Sequence, residues 1–381
     1  MADFPLLKTY IDERLVVQLA ERIVTVHPQF ASDAFVAATT SALPNLELKA
    51  RFDWIADQLR AALPADYPTA LAILLSILDN ESGRFAPLDR SAFRLMPIPT
   101  FVYRHGLAHP AASLDAIAII TRHATCEGAI RPYIRRYPTA TLARLREWTN
   151  DENEHVRRLV SEGTRPRLPW WPPLREFIAD PAPALALLEC LKDDPALYVR
   201  RSVANNLNDI SKDHPQLVLA RMTAWSQGAS KERQWLINHA LRTLVKRGSK
   251  PALTLLGYAP AAVELSDLTA TPAVLQFGKD IEFSFALRNC GGVEQKLMVD
   301  FVMHFVKANG ATAPKVFKLK KLRLPAGETI HIKKTMAIRP ISTRRYYPGR
   351  QRLEIQVNGV CLGGAEFELV MTERPRLNET R

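Results

Sequence analysis

At 381 residues the chain exceeds one ordinary core and points to two or three domains. Its 47% hydrophobic and 24% charged content excludes wholesale disorder, and no apolar run reaches the roughly 18 residues of a membrane span. The formal charge of +12 favours a polyanionic partner, nucleic acid ahead of a membrane face.

The opening Met1–Lys8 has no basic stretch followed by an apolar one, so secretion is not signalled. Cys126, Cys190, Cys290 and Cys361 stand far apart and match no zinc or redox spacing. They read as reduced thiols of a cytoplasmic protein, with no metal site implied.

Up to about residue 257 the apolar period is helical. Leu15, Val16, Leu19, Ile23 and Val26 recur at three and four residues, as do Leu71, Leu74, Leu75 and Leu78. Pro68, Pro110, Pro138, Pro181, Pro195, Pro215 and Pro251 mark helix starts, where a missing N–H costs nothing. His155–Gly163 and Tyr198–Asn206 read as two copies of one unit, and a weaker third copy runs through Trp235. A repeat of roughly 40 to 47 residues is that of HEAT or armadillo helix pairs, which stack to leave a concave surface. The expected first domain is therefore an all-α HEAT-like solenoid over 1–257.

Within it, ten arginines and no lysine lie between Arg131 and Arg175. Guanidinium suits forked phosphate contacts, so this bias predicts a surface that grips a nucleic-acid backbone. The alternative is pairing inside the chain with Glu147, Asp151, Glu152 and Glu154. Arg158 and Glu162, four apart, share a helix face; Arg201, Asn205 and Asp209 form a similar stripe. Asp209 falls near a helix C-terminus, where the macrodipole disfavours an anion. Gly163 reads as a helix stop, followed by a prolyl loop presenting Arg165, Arg167, Trp170 and Trp171 for nucleotide contacts. Glu127 is expected at a helix start.

After Pro260 the period changes to two. Runs such as Ile281–Leu287, Leu297–Val306, Ile330–Ile338 and Leu353–Val357, separated by Asn309-Gly310, Ala326-Gly327, Pro348-Gly349 and Asn358-Gly359, predict about seven strands. They fit an all-β immunoglobulin-like sandwich over 258–370, with 371–381 as a flexible tail. Residues 261–381 hold nineteen bases against twelve acids, so both domains are basic. Lys315–Leu324 alternates basic and apolar residues with a slip at Lys320-Lys321, which predicts a bulge. Lys318, Lys320, Arg344 and Arg345 are the candidate DNA contacts here. Edge protection by lysine, and a tyrosine corner at Tyr347, are the competing readings.

Glu127–Tyr133, Asn153–Trp170, Val203–Pro215 and Ile237–Leu244 then add a resemblance. In order and content they resemble the AlkC branch of alkylation-repair DNA glycosylases, in the HEAT-like repeat superfamily of AlkC and AlkD. Gly128 departs from the bulky aromatic expected there. The resemblance implies hydrolysis of the N-glycosidic bond of cationic alkylated bases, notably 3-methyladenine and 3-methylcytosine, in double-stranded DNA without full base flipping. It implies a monomer that needs no cofactor, because water suffices. It gives Asp209 water activation and cation stabilisation, places Glu162 and Glu127 in the same cleft, sets Trp170 against the deoxyribose, and puts Arg158, Arg165 and Arg201 at phosphates. The rival without that resemblance is a non-catalytic scaffold that binds nucleic acid or protein, which gives no reason for acids inside an arginine-rich face.

Overall fold

The computed structural model describes residues 6–79, 90–341 and 344–371. The chain forms two compact units, Met1–Ala240 and Leu241–Arg381.

The first unit is helical. Its last three pairs are Pro138–Trp148 with Glu154–Gly163, Ala182–Leu191 with Leu197–Ile210, and Pro215–Ser226 with Lys231–Ala240. Within each pair the helices pack together, and the second helices pack in turn on one another across pairs. Proline starts these helices as expected at Pro110, Pro138 and Pro215, stands second at Pro68, and caps at Pro181. Pro195 lies two residues ahead of its helix. The apolar stripes turn inward: Leu15, Val16, Leu19 and Ile23 in Glu13–Val26, and Val199, Val203, Leu207 and Ile210 in Leu197–Ile210, are buried. No single helix among the described residues is long and apolar enough to cross a membrane.

The second unit begins earlier than the change of period suggests. Helices Arg242–Lys246 and Lys250–Leu255 lie on its side of the division. A Cβ at Gly359 would stand 2.6 Å from Leu253 Cδ1, and Asn358 Nδ2 donates to Ala259 O at 2.7 Å. Periodicity states that a segment is helical; it does not state what the helix packs on.

The strands are β1 (Val263–Thr271), β2 (Val274–Gln276), β3 (Asp280–Asn289), β4 (Gln295–Val306), β5 (Thr312–Leu324), β6 (Thr329–Ala337), β7 (Gly349–Val357) and β8 (Val360–Val370). One sheet has the order β1-β3-β6 and the other β2-β8-β7-β4-β5. Alternate residues Ile281, Phe283, Phe285 and Leu287 meet Leu297, Val299, Phe301 and Met303 in the core between the sheets. The unit is an immunoglobulin-like sandwich. Asn358 and Gly359 both have positive φ, 46° and 80°, as the tight β7–β8 hairpin requires. The expected tail lies outside the described residues except for Met371.

Candidate active site

The site forms where successive helix pairs bring their polar edges together. Glu162 ends the Glu154–Gly163 helix and Asp209 the Leu197–Ile210 helix, and these two helices pack together. Gly163 permits the close approach of the turn before it: a Cβ there would lie 2.6 Å from Ile130 Cγ2. Glu127 sits in that turn, four residues ahead of the Arg131–Arg136 helix and not at a helix start.

Three carboxylates and three cations alternate through this region. Arg158 Nη1 donates to Glu127 Oε2 at 3.1 Å, and its Nη2 lies 3.7 Å from Glu162 Oε1. Arg165 Nη1 donates to the same Glu162 oxygen at 2.6 Å, while its Nε donates to Asp209 Oδ2 at 2.8 Å. Lys212 Nζ closes the chain on Asp209 Oδ1 at 2.7 Å. Ser202 Oγ donates to Glu162 Oε2 at 2.6 Å and accepts from Ser161 Oγ. Burial alone would raise the Glu162 carboxyl; Arg158 and Arg165, with the Ser202 hydroxyl, hold it below its ordinary value. The same carboxylates raise both guanidinium groups against the opposing pull of burial. Arg158, Glu162 and Arg165 thus hold one another in their charged forms, fixed by hydrogen bonds.

The loop after Gly163 is held from below. Arg131, almost fully buried, donates to Gly163 O and Arg165 O through Nη1 and to Pro172 O through Nη2. Burial pushes its guanidinium down to about 10, so it remains charged at pH 7. Trp170 at the loop's turn is 63% exposed and has φ 69°, a left-handed conformation that a bulky residue adopts only under constraint. Lys49 Nζ supplies one constraint by donating to Trp170 O. Glu127, Trp170 and Trp171 also line a cavity of about 190 Å³ between the Leu48–Ala62 and Pro97–His105 helices and this loop.

This geometry can be set beside known proteins. Over 371 residues the chain is 37% identical to protein YhaZ of Bacillus subtilis (strain 168), covering 97% of this chain and all of that one. Its structure matches that of the Pseudomonas fluorescens alkylpurine DNA glycosylase AlkC, bound to DNA containing an abasic site analog. The TM-score is 0.90 at 39% identity, over 96% of this chain and all of that one. The chain belongs to the AlkC family. Residues 264–371 also match the family described as "Uncharacterised protein YhaZ, C-terminal Ig-like domain".

In this AlkC-family chain Glu127, Glu162 and Asp209, expected in one cleft, meet in one ion-pair network, in surroundings unlike those expected. The acids do not stand open in a positive surface: Asp209 is 2% and Glu162 6% exposed, and of the three only Glu127 lines the cavity. Arg158 and Arg165, expected at phosphates, turn inward onto carboxylates that raise both guanidinium groups despite their burial. The arginine bias resolves largely as internal pairing, with partners more distant than expected. Arg157 pairs with Asp194, Arg167 with Asp213, Arg135 with Glu176, and Arg144 with Asp115 as well as Glu147. Arg136, Arg175 and Arg201 are exposed.

In the sandwich, Lys318 and Lys320 are exposed on β5, an edge strand; the bulge expected at Lys320-Lys321 lies instead at Leu319, since Met298 and Val299 pair regularly with Lys321 and Lys320 while Asp300 pairs with Lys318. Arg345 is exposed, with its guanidinium 5.6 Å from the Tyr347 ring. Arg344 instead lies over the Phe305 ring at 4.0 Å. The buried tyrosine of this region is Tyr346, packed on Phe277 and Phe305, and not Tyr347. Sequence reasoning missed Ser202 and Lys212, and gave Arg131 to the backbone-gripping surface where it instead holds the loop. Lys212 was visible three residues after Asp209, the spacing of helical neighbours; Ser202 had no local signal.

The Gly128 departure has a steric cause. A Cβ there would lie 1.8 Å from Trp171 Cζ2, so the Trp171 ring fills the space that a side chain at 128 would occupy.

Proposed function

We propose that this chain is a monofunctional DNA glycosylase that hydrolyses the N-glycosidic bond of cationic alkylated bases in duplex DNA, with 3-methyladenine and 3-methylcytosine as substrates. Family membership supports the reaction class, since the AlkC relative is an alkylpurine DNA glycosylase bound to DNA. The observation that carries the reading to residues is the meeting of Glu127, Glu162 and Asp209 in one network bridged by Arg158 and Arg165.

A base methylated on a ring nitrogen is already a good leaving group, so no general acid is required. The barrier lies in the sugar, which becomes oxocarbenium-like as the bond breaks. Fixed carboxylates stabilise that cation without reorganising, and one such contact is worth about 3 kcal/mol, or roughly a hundredfold in rate. Asp209 orients the attacking water. Its Oδ2 is held by Arg165, and its Oδ1 accepts from Lys212, a partly exposed neighbour three residues on. A DNA phosphate competing for that ammonium uncovers Oδ1 for water. Trp170 meets the deoxyribose and holds the lesion's nucleotide in place, without full extrusion of the base before cleavage. Arg201 and the lysines of β5 contact phosphates.

The test is release of 3-methyladenine from methylated duplex DNA by the purified full chain, read by chromatography of the free base. Release at a rate well above spontaneous loss is expected. DNA binding without release would leave the scaffold reading in its place.

A further inference from the structure

The cavity beside Glu127 has more chemistry than hydrolysis at the sugar needs. Phe52 and Tyr103 from the two helices, Phe93 from the 3-10 helix Arg90–Leu95, and Trp170 and Trp171 from the loop give it aromatic walls. The Tyr103 and Trp171 rings meet edge to face at 5.5 Å, and Phe93 leans on Trp170 at 6.4 Å. Such an assembly is stiff, because Trp171 is wedged against Gly128 on one side and lies under the Lys49 ammonium at 4.7 Å.

Two carboxylates interrupt these walls. Glu127 uses Oε2 for Arg158, and Asp53 uses Oδ1 for the Tyr103 hydroxyl at 2.6 Å, with Arg104 Nη1 at 3.6 Å from the same oxygen. A carboxylate has about four lone-pair sites, more than these contacts use, so each acid has acceptor capacity for a donor in the cavity it lines. An apolar cavity of about 150 Å³ accepts benzene. A cavity of about 190 Å³ is therefore on the scale of an aromatic ring system, too small for a nucleotide. Flat walls with acceptors at the rim fit a planar heteroaromatic ring that carries N–H donors.

We propose that this cavity binds the excised base, an amino-bearing purine or pyrimidine methylated on a ring nitrogen, after it leaves the sugar. The inference rests on the glycosylase reading. When the glycosidic bond breaks, its electron pair stays with the base and neutralises the ring, while water oxygen bonds to the sugar carbon and gives up its proton to Asp209. The departing ring, no longer cationic, is recognised by stacking and by donation of its exocyclic amine to Asp53 and Glu127. Glu127 belongs to both the cavity wall and the carboxylate network, so the base moves a short way from one to the other. Asp53 and Tyr103 are base-binding residues with no part in bond breaking.

Equilibrium dialysis of the full chain against 3-methyladenine, without DNA, tests the site. Saturable uptake of one base per chain is expected. Asp53→Asn, which replaces an acceptor oxygen by an amide donor, should weaken uptake at least tenfold with an unchanged melting temperature. Tyr103→Phe, which removes only the hydroxyl that orients Asp53, should weaken it severalfold. Added 3-methyladenine should inhibit turnover of wild type more than that of Asp53→Asn. Excision of 3-methyladenine from DNA is measured on the same preparation. Excision without saturable uptake, or equal uptake by wild type and Asp53→Asn, overturns the base site and leaves the glycosylase reading intact. Uptake without excision supports the site and removes the reading.

Discussion

The helical unit and the sandwich are both basic, yet their cations do different things. Around Glu162 the arginines point inward and each guanidinium bridges two carboxylates, of which Glu162 and Asp209 are almost out of water. Along β5 the lysines point outward from a sheet edge; Lys318, Lys320 and Lys321 are exposed. Arg side chains form fixed multidentate links at little further entropic cost, whereas Lys keeps a hydrated point charge on a flexible stem. The same count of positive charge therefore builds a rigid site in one unit and a screened, adaptable field in the other. Net charge alone does not distinguish them.

The largest effect should come from breaking the inward arrangement. Arg165→Leu leaves Glu162 and Asp209 buried without their shared partner, and should lower unfolding stability by about 3–5 kcal/mol in urea titrations. Lys192→Ala, which removes the half-exposed partner of Glu189, should change it by less than about 1 kcal/mol. Equal losses would mean that the buried network has no special standing. Next, Asp209→Asn keeps the volume and removes the charge; release of 3-methyladenine should fall by about a hundredfold or more. Undiminished release would take Asp209 out of the mechanism.

A smaller effect marks the one place where the sandwich imitates the helical unit badly. Asp300 on β4 is 5% exposed, and its Oδ1 has no hydrogen-bond partner among the described residues. Burial pushes its carboxyl up to about 6, against the pull of Lys318, Lys321 and Lys246. Since the folded value exceeds the ordinary 3.8, the protonated form favours the fold. That stability is present below about pH 4 and is lost as pH rises through about 6. Asp300→Asn should accordingly be more stable than wild type at pH 8, by on the order of 2 kcal/mol, with the difference vanishing near pH 4. A constant difference at both pH values would contradict this account. The smallest change belongs to the outward lysines. Lys318→Ala with Lys320→Ala should leave stability within about 0.5 kcal/mol and flatten the salt dependence of DNA binding by about two units of slope. An unchanged slope would show that they face away from DNA.

What could be read from the chain divides along the same line. Periods of 3.6 and 2, prolines at helix starts and the Asn358-Gly359 turn are local signals, and they delivered helices and strands, and a bulge in β5 that lies at Leu319, short of the expected Lys320-Lys321. Of the three acids only Asp209 breaks a local expectation, at a helix C-terminus; Glu162 stood out by sharing a helix face with Arg158, and Glu127 entered through the family resemblance. The direction of the arginines was not legible. Arg165 meets Asp209 forty-four residues away and Arg157 meets Asp194 thirty-seven away, so their pairing depends on how repeats stack and not on neighbours. The cavity escaped for the same reason: its walls come from Phe52, Phe93, Tyr103 and Trp171, four distant stretches with no shared motif.

The glycine at 128 carries a consequence for variation among relatives. Position 128 and the indole of Trp171 are alternative tenants of one volume, so a change at either alone leaves a clash or a void. Gly128→Phe should be tolerated only together with a small residue at 171, and such an exchange would swap the wall of the cavity from the loop side to the turn that bears Glu127. Two positions changing in concert could thus remodel which rings fit, while the carboxylate network behind them stays as it is.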